Sequence, residues 1–333
     1  MEWVCNPSHD PAFNLALEET LLAAASAGQP ATGMLWVNRP TVVIGRFQNA
    51  RLEVNADVAR ARGITVVRRI TGGGAVYHDL GTLNYTFIHY LDREGCIPSF
   101  REAGRPVAEA LRSLGLPVEF SGRNDLLLEG RKVAGVAYCR QGRRCLHHGC
   151  ILVDTDLTRL TGVLSVDPAK LAAKGVASVR SRVTNLADWL AERNPSAPRL
   201  TVQDVCAAIM EREGAPRPLT GAETRAAETL RASKHATWDW VYGTAPPYTE
   251  RKTRRFAWGG VEALFDVRQG QVASCRLYGD FLGDSAGPAL IEQALTGIRY
   301  NADSLRAALD ALPLDRFFPD GAAGELKVFL LPE

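Results

Sequence analysis

Arg68–Asn84 reads RRITGGGAVYHDLGTLN. Three consecutive glycines, Gly72 to Gly74, carry no side chain that would block close approach of the backbone. Their amides can form a concave nest for an anion such as a phosphate. Arg68 and Arg69 precede the run, and guanidinium groups suit phosphate and carboxylate. A tight turn between strands is the alternative reading of the same residues. No Gly-Lys-Ser/Thr follows, so this is not a Walker A loop, and the spacing is not GxGxxG. Nucleotide binding by either of those two folds is therefore disfavoured. Ile64–Val67 before the glycines is β-rich, and Leu83–His89 after them alternates as a strand should.

Outward from this segment the chain mixes helices and strands without strict βαβ alternation. Asn14–Ala25 (NLALEETLLAAA) has apolar residues at helical spacing and acids near its start, which suits the helix dipole. Asp10-Pro11 supplies a cap and an entry. Met34–Val37 and Thr41–Ile44 read as short strands, and Val54–Arg62 as a helix ended by Gly63. Phe100–Leu114 is helical. Leu126–Leu128 and Lys132–Tyr138 form a hairpin around Glu129-Gly130-Arg131, and Leu146–Val153 is a further strand. Helical material follows at Gly175–Leu190, Thr201–Glu213 and Gly221–Lys234. The Gly and two prolines of Tyr242–Tyr248 (YGTAPPY) mark a linker. Beyond it, two strands (Phe256–Asp266 and Gln271–Tyr278) and two helices (Pro288–Leu295 and Asp303–Leu312) make a small α+β unit. The expectation is an α+β protein with a large mixed-sheet domain over 1–246 and a small unit over 250–333.

Composition narrows the class. The 333 residues are 46% hydrophobic and 23% charged, enough for a buried core. Lys plus Arg (39) nearly balances Asp plus Glu (37), giving a net charge of +2. That argues against a dedicated nucleic-acid binder, although local basic clusters can still hold phosphates. No stretch approaches the ~18 apolar residues of a membrane span. The first residues, MEWVCNPSHD, lack a secretory or organellar targeting pattern. Seven scattered cysteines, an odd number, suggest reduced thiols in a cytoplasmic protein.

Three more segments carry chemistry. Gly122-Arg123-Asn124-Asp125 precedes a strand bearing Lys132. The Lys132–Asp125 pair is either a surface ion pair, silent for function, or a catalytic pair. In the second case Lys132 offers a compact positive charge to a carboxylate and a phosphate, and Asp125 holds magnesium. Cys145-Leu146-His147-His148-Gly149-Cys150 has zinc-like residue types. Strand alternation, however, puts Cys145 and His147 on one face and His148 and Cys150 on the other, which splits the ligands. His148 is expected to point at a pocket and Cys150 to pack. Lys174–Leu186 (KGVASVRSRVTNL) is a solvated basic loop or one that closes on an anionic ligand.

Together these pieces resemble the lipoate-protein ligase family over nearly the whole chain. The similar stretches are DPAFNLALEETLL (Asp10–Leu22), PTVVIGRFQNARLEVN (Pro40–Asn55), RRITGGGAVYHDLGTLN, GRNDLLLEGRKVAGVAY (Gly122–Tyr138), HHG (His147–Gly149) and KGVASVRSRVTNL. Each is moderately specific; their order and spacing are highly specific. WDWVYGTAPPY (Trp238–Tyr248) and YGDFLG (Tyr278–Gly283) resemble the accessory domain of long-form bacterial ligases.

The resemblance implies a fold like that of class II aminoacyl-tRNA synthetases and biotin protein ligases. It also implies a reaction. Lipoate and MgATP give lipoyl-AMP and pyrophosphate, and the lipoyl group passes to a lysine of an apo lipoyl domain. The acceptors implied are 2-oxoacid dehydrogenase E2 subunits and glycine-cleavage H protein. By motif position Lys132 matches the family's essential lysine, and Asn124 and Asp125 match residues for adenylate contact and magnesium. Arg69 joins Lys132 and the glycine amides as a source of positive charge. Thr71, Gly73, Gly74, Ala75, Val76 and His78 match the glycine loop and its flank. His148 matches a pocket histidine, and Val136, Ala137 and Tyr138 match an acyl tunnel. Lys174, Ser178, Val179 and Arg180 fall in the adenylate-binding loop.

Three departures stand out. Thr82 replaces a common Asn, Cys150 stands where Thr is expected, and the segment between Asp125 and Lys132 is short. Two rival reactions share the fold. One is a cysteine-dependent octanoyl or lipoyl transferase using Cys150 or Cys145. The other is an amidotransferase that uses preformed lipoyl-AMP. A non-catalytic lipoate-binding protein is a third reading, disfavoured by the presence of Lys132 and Asp125.

Overall fold

The structure is a computed structural model. It describes residues 1–91, 98–122, 124–160, 162–164, 183–242, 249–281, 284 and 286–332. In chain order the strands are β1 (Glu2–Cys5), β2 (Thr32–Trp36), β3 (Thr41–Ile44), β4 (Thr65–Arg68), β5 (Val76–His78), β6 (Thr82–Tyr90) and β7 (Val118–Ser121). They continue as β8 (Asp125–Leu128), β9 (Arg131–Gln141), β10 (Arg144–Leu152), β11 (Arg217–Pro218), β12 (Glu250–Phe256), β13 (Gly259–Arg268) and β14 (Gln271–Gly279).

The main sheet has the order β11-β1-β2-β6-β10-β9-β8-β7. It is parallel at the β11-β1-β2 end and antiparallel from β2 onward. Its back face carries Leu83, Tyr85 and Phe87. These pack under helices Phe100–Ser113, Leu186–Arg193 and Val202–Glu213 through Val107, Leu111, Trp189, Val205 and Ile209. On the front face Met34, Trp36, Ile88 and Leu146 pack against Phe13, Leu17 and Leu21 of helix Pro11–Ala24. A second small sheet, ordered β4-β3-β5, joins this front core through Val43 and Val67. The space between the two sheets becomes the site.

Helix Pro11–Ala24 is capped by Asp10, whose carboxylate accepts from the Ala12 and Phe13 amides. This satisfies two of the otherwise unpaired first-turn donors. Because the helix begins at Pro11, its first turn holds no acid. Glu18 and Glu19 lie mid-helix, so the expected dipole interaction is not their role. Glu18 is fully buried, and Glu19 pairs with Lys234 and His235. The helix expected over Val54–Arg62 is found over Ala56–Ala61, and a short separate helix, Ala50–Glu53, precedes it. Asn55 caps Ala56–Ala61 through the Val58 amide. Most of the linker expected over Tyr242–Tyr248 lies outside the described residues.

The C-terminal unit is a three-stranded antiparallel sheet, β12-β13-β14, under helices Ala286–Leu295, Ala302–Asp310 and Ala322–Leu330. Strand β12 (ERKTRRF) has little apolar alternation because it is an edge strand whose side chains are mostly exposed. The unit's core includes Phe47 of the large domain. Phe47 stacks on Phe281 at 5.0 Å between ring centroids. Two backbone bonds flank the stack: Gly73 donates to the Phe281 carbonyl (3.2 Å), and Gly279 to that of Phe47 (2.6 Å). The C-terminal unit therefore sits directly on the glycine loop.

Candidate active site

The cavity between the two sheets measures about 230 Å³. Its floor follows from the strand register. Trp36 pairs with Asn84, Asn84 with Cys150, Cys150 with Gly135, and Gly135 with Asp125. Residues directly paired across a sheet project to the same side, so these five form one row across four strand gaps. A parallel row contains Met34, Thr86, His148 and Ala137. Trp36, Asn84, Cys150, Gly135, His148 and Ala137 all line the cavity, and Val136 adds to its wall.

Lys132 would not share this face on spacing alone. It precedes Gly135 by three positions, and a regular strand sends such residues to opposite sides. The register shifts here, however: Leu126 pairs with Ala134, while Leu127 pairs with Lys132. The extra residue on β9 is a bulge, and it turns Lys132 onto the cavity face. Its ammonium reaches Asp125 Oδ1 at 2.7 Å. This is an ion pair by distance, with angles that do not make a hydrogen bond. Both side chains remain more than a third exposed, Lys132 at 38% and Asp125 at 36%. Gly135 makes the fold-back possible, because a Cβ there would lie 2.9 Å from Lys132 Nζ. Asn124 is fixed alongside, donating its amide to the Val136 carbonyl at 2.9 Å. The short Asp125–Lys132 connection therefore places the two charges together.

The glycine loop forms the opposite wall through Gly73, Gly74, Ala75 and Val76. Arg69 braces it. Its guanidinium donates to the carbonyls of Val43 (3.1 Å), Gly72 (2.6 Å) and Gly74 (2.8 Å), and to the Thr71 hydroxyl (3.0 Å). Gly45 lets the loop approach, since a Cβ there would stand 2.0 Å from the Gly73 carbonyl oxygen. Burial lowers the Arg69 pKa to about 10, still well above neutral pH. Arg69 thus contributes a positive wall, but its donors are occupied by the loop. Arg68 does not face the cavity. It donates to the carbonyls of Gly45, Arg46, Gln48, Trp240 and Val241, tying the end of the large domain to β4.

Behind the wall runs a buried polar chain. Arg69 donates to Thr71 Oγ1, which lies 2.7 Å from His148 Nε2. His148 Nδ1 lies 2.9 Å from Glu18 Oε1. The Thr86 hydroxyl also donates to Glu18, and itself accepts from Trp36 Nε1 at 2.9 Å. Arg69 can only donate and a carboxylate can only accept, so Thr71 accepts from Arg69 and His148 donates from Nδ1 to Glu18; a neutral imidazole with its proton there accepts at Nε2 from the Thr71 hydroxyl. Thr71 therefore acts from behind the cavity surface.

Several sequence expectations are thus placed together: Arg69, Gly73, Gly74, Ala75, Val76, His78, Asn124, Lys132, Val136, Ala137 and His148 border one cavity. Tyr138 is a correction. It pairs with His147 and stacks on it at 5.7 Å, on the back face of the sheet. Cys150 is another, since it lines the cavity where packing alone was expected. Lys174, Ser178, Val179 and Arg180 lie outside the described residues. The segment that follows them returns at Val183, which bridges to Lys132.

Sequence reasoning missed Glu18, Trp36 and Asn84. Asn14 and Glu18 gave a signal: two polar residues four apart fall among the apolar residues of one helix.

Comparison with known proteins places the chain in a family. Residues 10–212 match the lipoyl protein ligase A/B catalytic domain, and residues 245–330 match the bacterial lipoate protein ligase C-terminus. Lipoate–protein ligase 1 of Staphylococcus aureus is 35% identical over 317 residues, covering 93% of this chain and 94% of that protein. The structure of P. falciparum LipL1 in complex with lipoate covers 100% of this chain and 99% of its own, with TM-score 0.78 and 22% identity, a likeness of fold. Lipoate-protein ligase A bound with ATP is 28% identical, covering 73% of this chain and 99% of its own, with TM-score 0.61. The chain belongs to the lipoate-protein ligase family, in the form that carries the C-terminal domain beside the catalytic one.

Proposed function

We propose that this chain activates lipoate with MgATP to lipoyl-AMP and transfers the lipoyl group to one lysine of an apo lipoyl domain. The acceptors are 2-oxoacid dehydrogenase E2 subunits and glycine-cleavage H protein, and the reaction takes place in the cytoplasm. The observation that carries this reading is Lys132. Its ammonium is held by Asp125 over Gly135, at the end of an apolar cavity walled by a glycine loop.

In the first step a lipoate carboxylate oxygen attacks the α-phosphorus of ATP. An O–P bond forms, and the bond to pyrophosphate breaks. Two anions must meet, so fixed positive charge and oriented donors lower the barrier most. Lys132 supplies the mobile charge, Arg69 the fixed one, and Asn124 a neighbouring polar group. In the second step the acceptor lysine's neutral amine attacks the lipoyl carbonyl: a C–N bond forms, the C–O bond to AMP breaks, and the amine gives up a proton as AMP leaves. Leu15, Trp36, Val43, Val76 and Ala137 give the acyl chain an apolar wall.

Asp125 fits magnesium, because that ion takes one or two carboxylates and fills its octahedron with phosphates and waters. When bound there it would neutralise phosphate charge. The adenylate-binding role of Lys174, Ser178, Val179 and Arg180, and the division into a catalytic domain (1–246) and an accessory domain (250–333), belong to the same proposal.

The thioester alternative is weakened by Cys150 itself. Burial raises its pKa, which disfavours the thiolate that nucleophilic transfer requires. Pyrophosphate release that needs both ATP and lipoate supports the ligase. Acyl transfer from a carrier without ATP, abolished by Cys150→Ser, would replace it.

A further inference from the structure

At the end of the cavity away from Lys132 stand two buried polar side chains that the adenylation chemistry does not use. His78 is 4% exposed and Asn84 1%. His78 Nε2 and Asn84 Nδ2 have no hydrogen-bond partner among the described residues. Both residues line the cavity.

The state of His78 follows from a chain of amides. Asn14 Nδ2 donates to the carbonyls of Ser8 (3.1 Å) and Val37 (3.2 Å) and to Asn38 Oδ1 (2.9 Å). Asn14 Oδ1 in turn accepts from Asn6 at 3.0 Å. Asn38 therefore presents its oxygen to Asn14 and its NH₂ to His78 Nδ1, 3.2 Å away. A ring nitrogen that accepts leaves the proton on the other one. His78 thus carries N–H at Nε2, on the side of the ring opposite Asn38. Burial, with Arg69 and His148 nearby, lowers its pKa to about 3, so the ring is neutral.

The two donors lie where the tail of a bound acid reaches. Lys132 folds over Gly135, and Asn84 is two strands away in the same row, roughly 10 Å at the usual strand spacing. His78 packs edge-on to Trp36, one strand further, at 6.4 Å between centroids. With its carboxylate at Lys132, an acyl chain runs along the row and ends between Asn84 and His78.

We propose that His78 Nε2–H and Asn84 Nδ2–H are specificity-determining donors that favour an acid whose far end carries sulfur acceptors, the dithiolane of lipoate, over a straight alkanoate such as octanoate. The inference rests on the ligase reading above. Divalent sulfur is a weak acceptor, but it is an acceptor. A methyl end is not, and it seals both donors away from water unpaired. Sites built to hydrogen-bond a ligand reject the analogue lacking the partner for this reason. Neither group touches the reacting atoms, so discrimination appears in binding of the acid.

The test is calorimetric titration of the full chain with (R)-lipoate and with octanoate, for the native protein and for Asn84→Leu and His78→Phe, which keep shape and remove a donor. The native protein is expected to prefer lipoate, and each variant to lower the lipoate-to-octanoate affinity ratio about two- to tenfold. Equal native affinities, or a ratio unchanged in both variants, overturns the proposal. Should the variants fail to fold, ¹⁵N NMR of native His78 decides. The Nε2–H tautomer, with a shift on adding lipoate that octanoate does not produce, supports it. The Nδ1–H tautomer, or equal shifts, overturns it. Binding of neither acid removes the ligase reading, and this inference with it.

Discussion

Gly135→Ala isolates the position of the Lys132 ammonium, the group proposed to act in adenylation, from the rest of the fold. A Cβ at this position lies 2.9 Å from Lys132 Nζ and 3.1 Å from Cε. Comfortable contacts between such atoms are about 3.5–4.0 Å, so the lysine end must move by roughly half to one ångström. Lys132 is 38% exposed, so its end can swing outward with little resistance. The expected loss of stability is under about 1 kcal/mol, as for other changes at partly exposed positions. Catalysis is less tolerant, because misplacing a reacting group by about 1 Å can cost 10²-fold. The expected outcome is a fall in kcat for lipoate-dependent pyrophosphate release of about 10- to 100-fold, or roughly 1.4–2.7 kcal/mol of barrier. A thermal melt should change little. Unchanged kcat, or a melting temperature that falls in step with activity, would show that Gly135 does not act by placing the Lys132 ammonium.

Three further outcomes follow from the buried network, the small domain and the histidines. Glu18→Leu removes the oxygens that accept from both Thr86 and His148 and leaves buried donors unpaired; stability should fall by about 2 kcal/mol, read from urea unfolding. A midpoint within error of the native one would contradict this. Phe281→Ala removes the stack on Phe47, worth about 0.5–1.5 kcal/mol beyond area burial. Small-angle scattering should then show a larger radius of gyration, and identical profiles would argue against the docking contact. Burial lowers His78 to about 3 and His147 to about 4. Below about pH 6.5 the unfolded chain therefore binds more protons at these sites than the native one. Stability is retained above that pH and lost on acidification toward 4, by up to about 1.4 kcal/mol per pH unit for each histidine. His147→Phe should flatten the acid limb of a stability–pH curve, and an unchanged slope would show that His147 does not drive it.

Much of this was legible in the sequence because the signals were local. The short run Thr41–Ile44 is strand β3, Asp10 caps the first helix, and Gly73 and Gly74 wall the cavity. What was not legible depended on register. Val136, Ala137 and Tyr138 are consecutive, and a strand cannot turn three neighbours to one side; Tyr138 went to the back face with His147. Lys132 reached the cavity only through a bulge that its residue types do not announce. Glu18 read as an acid suited to the helix dipole and became the acceptor at the centre of a buried network, a place set by the helix's packing. Strand β12 was hidden because an exposed edge strand does not need apolar alternation.

The proposed reaction is ATP-dependent lipoylation of a protein lysine. Intact-mass spectrometry of an apo lipoyl domain incubated with the enzyme, ATP, magnesium and lipoate tests it most directly. One lipoyl adduct per domain is expected, on a single lysine, absent without ATP and strongly reduced with Lys132→Ala. An unmodified domain, or an adduct that forms equally without ATP or with Lys132→Ala, would contradict it.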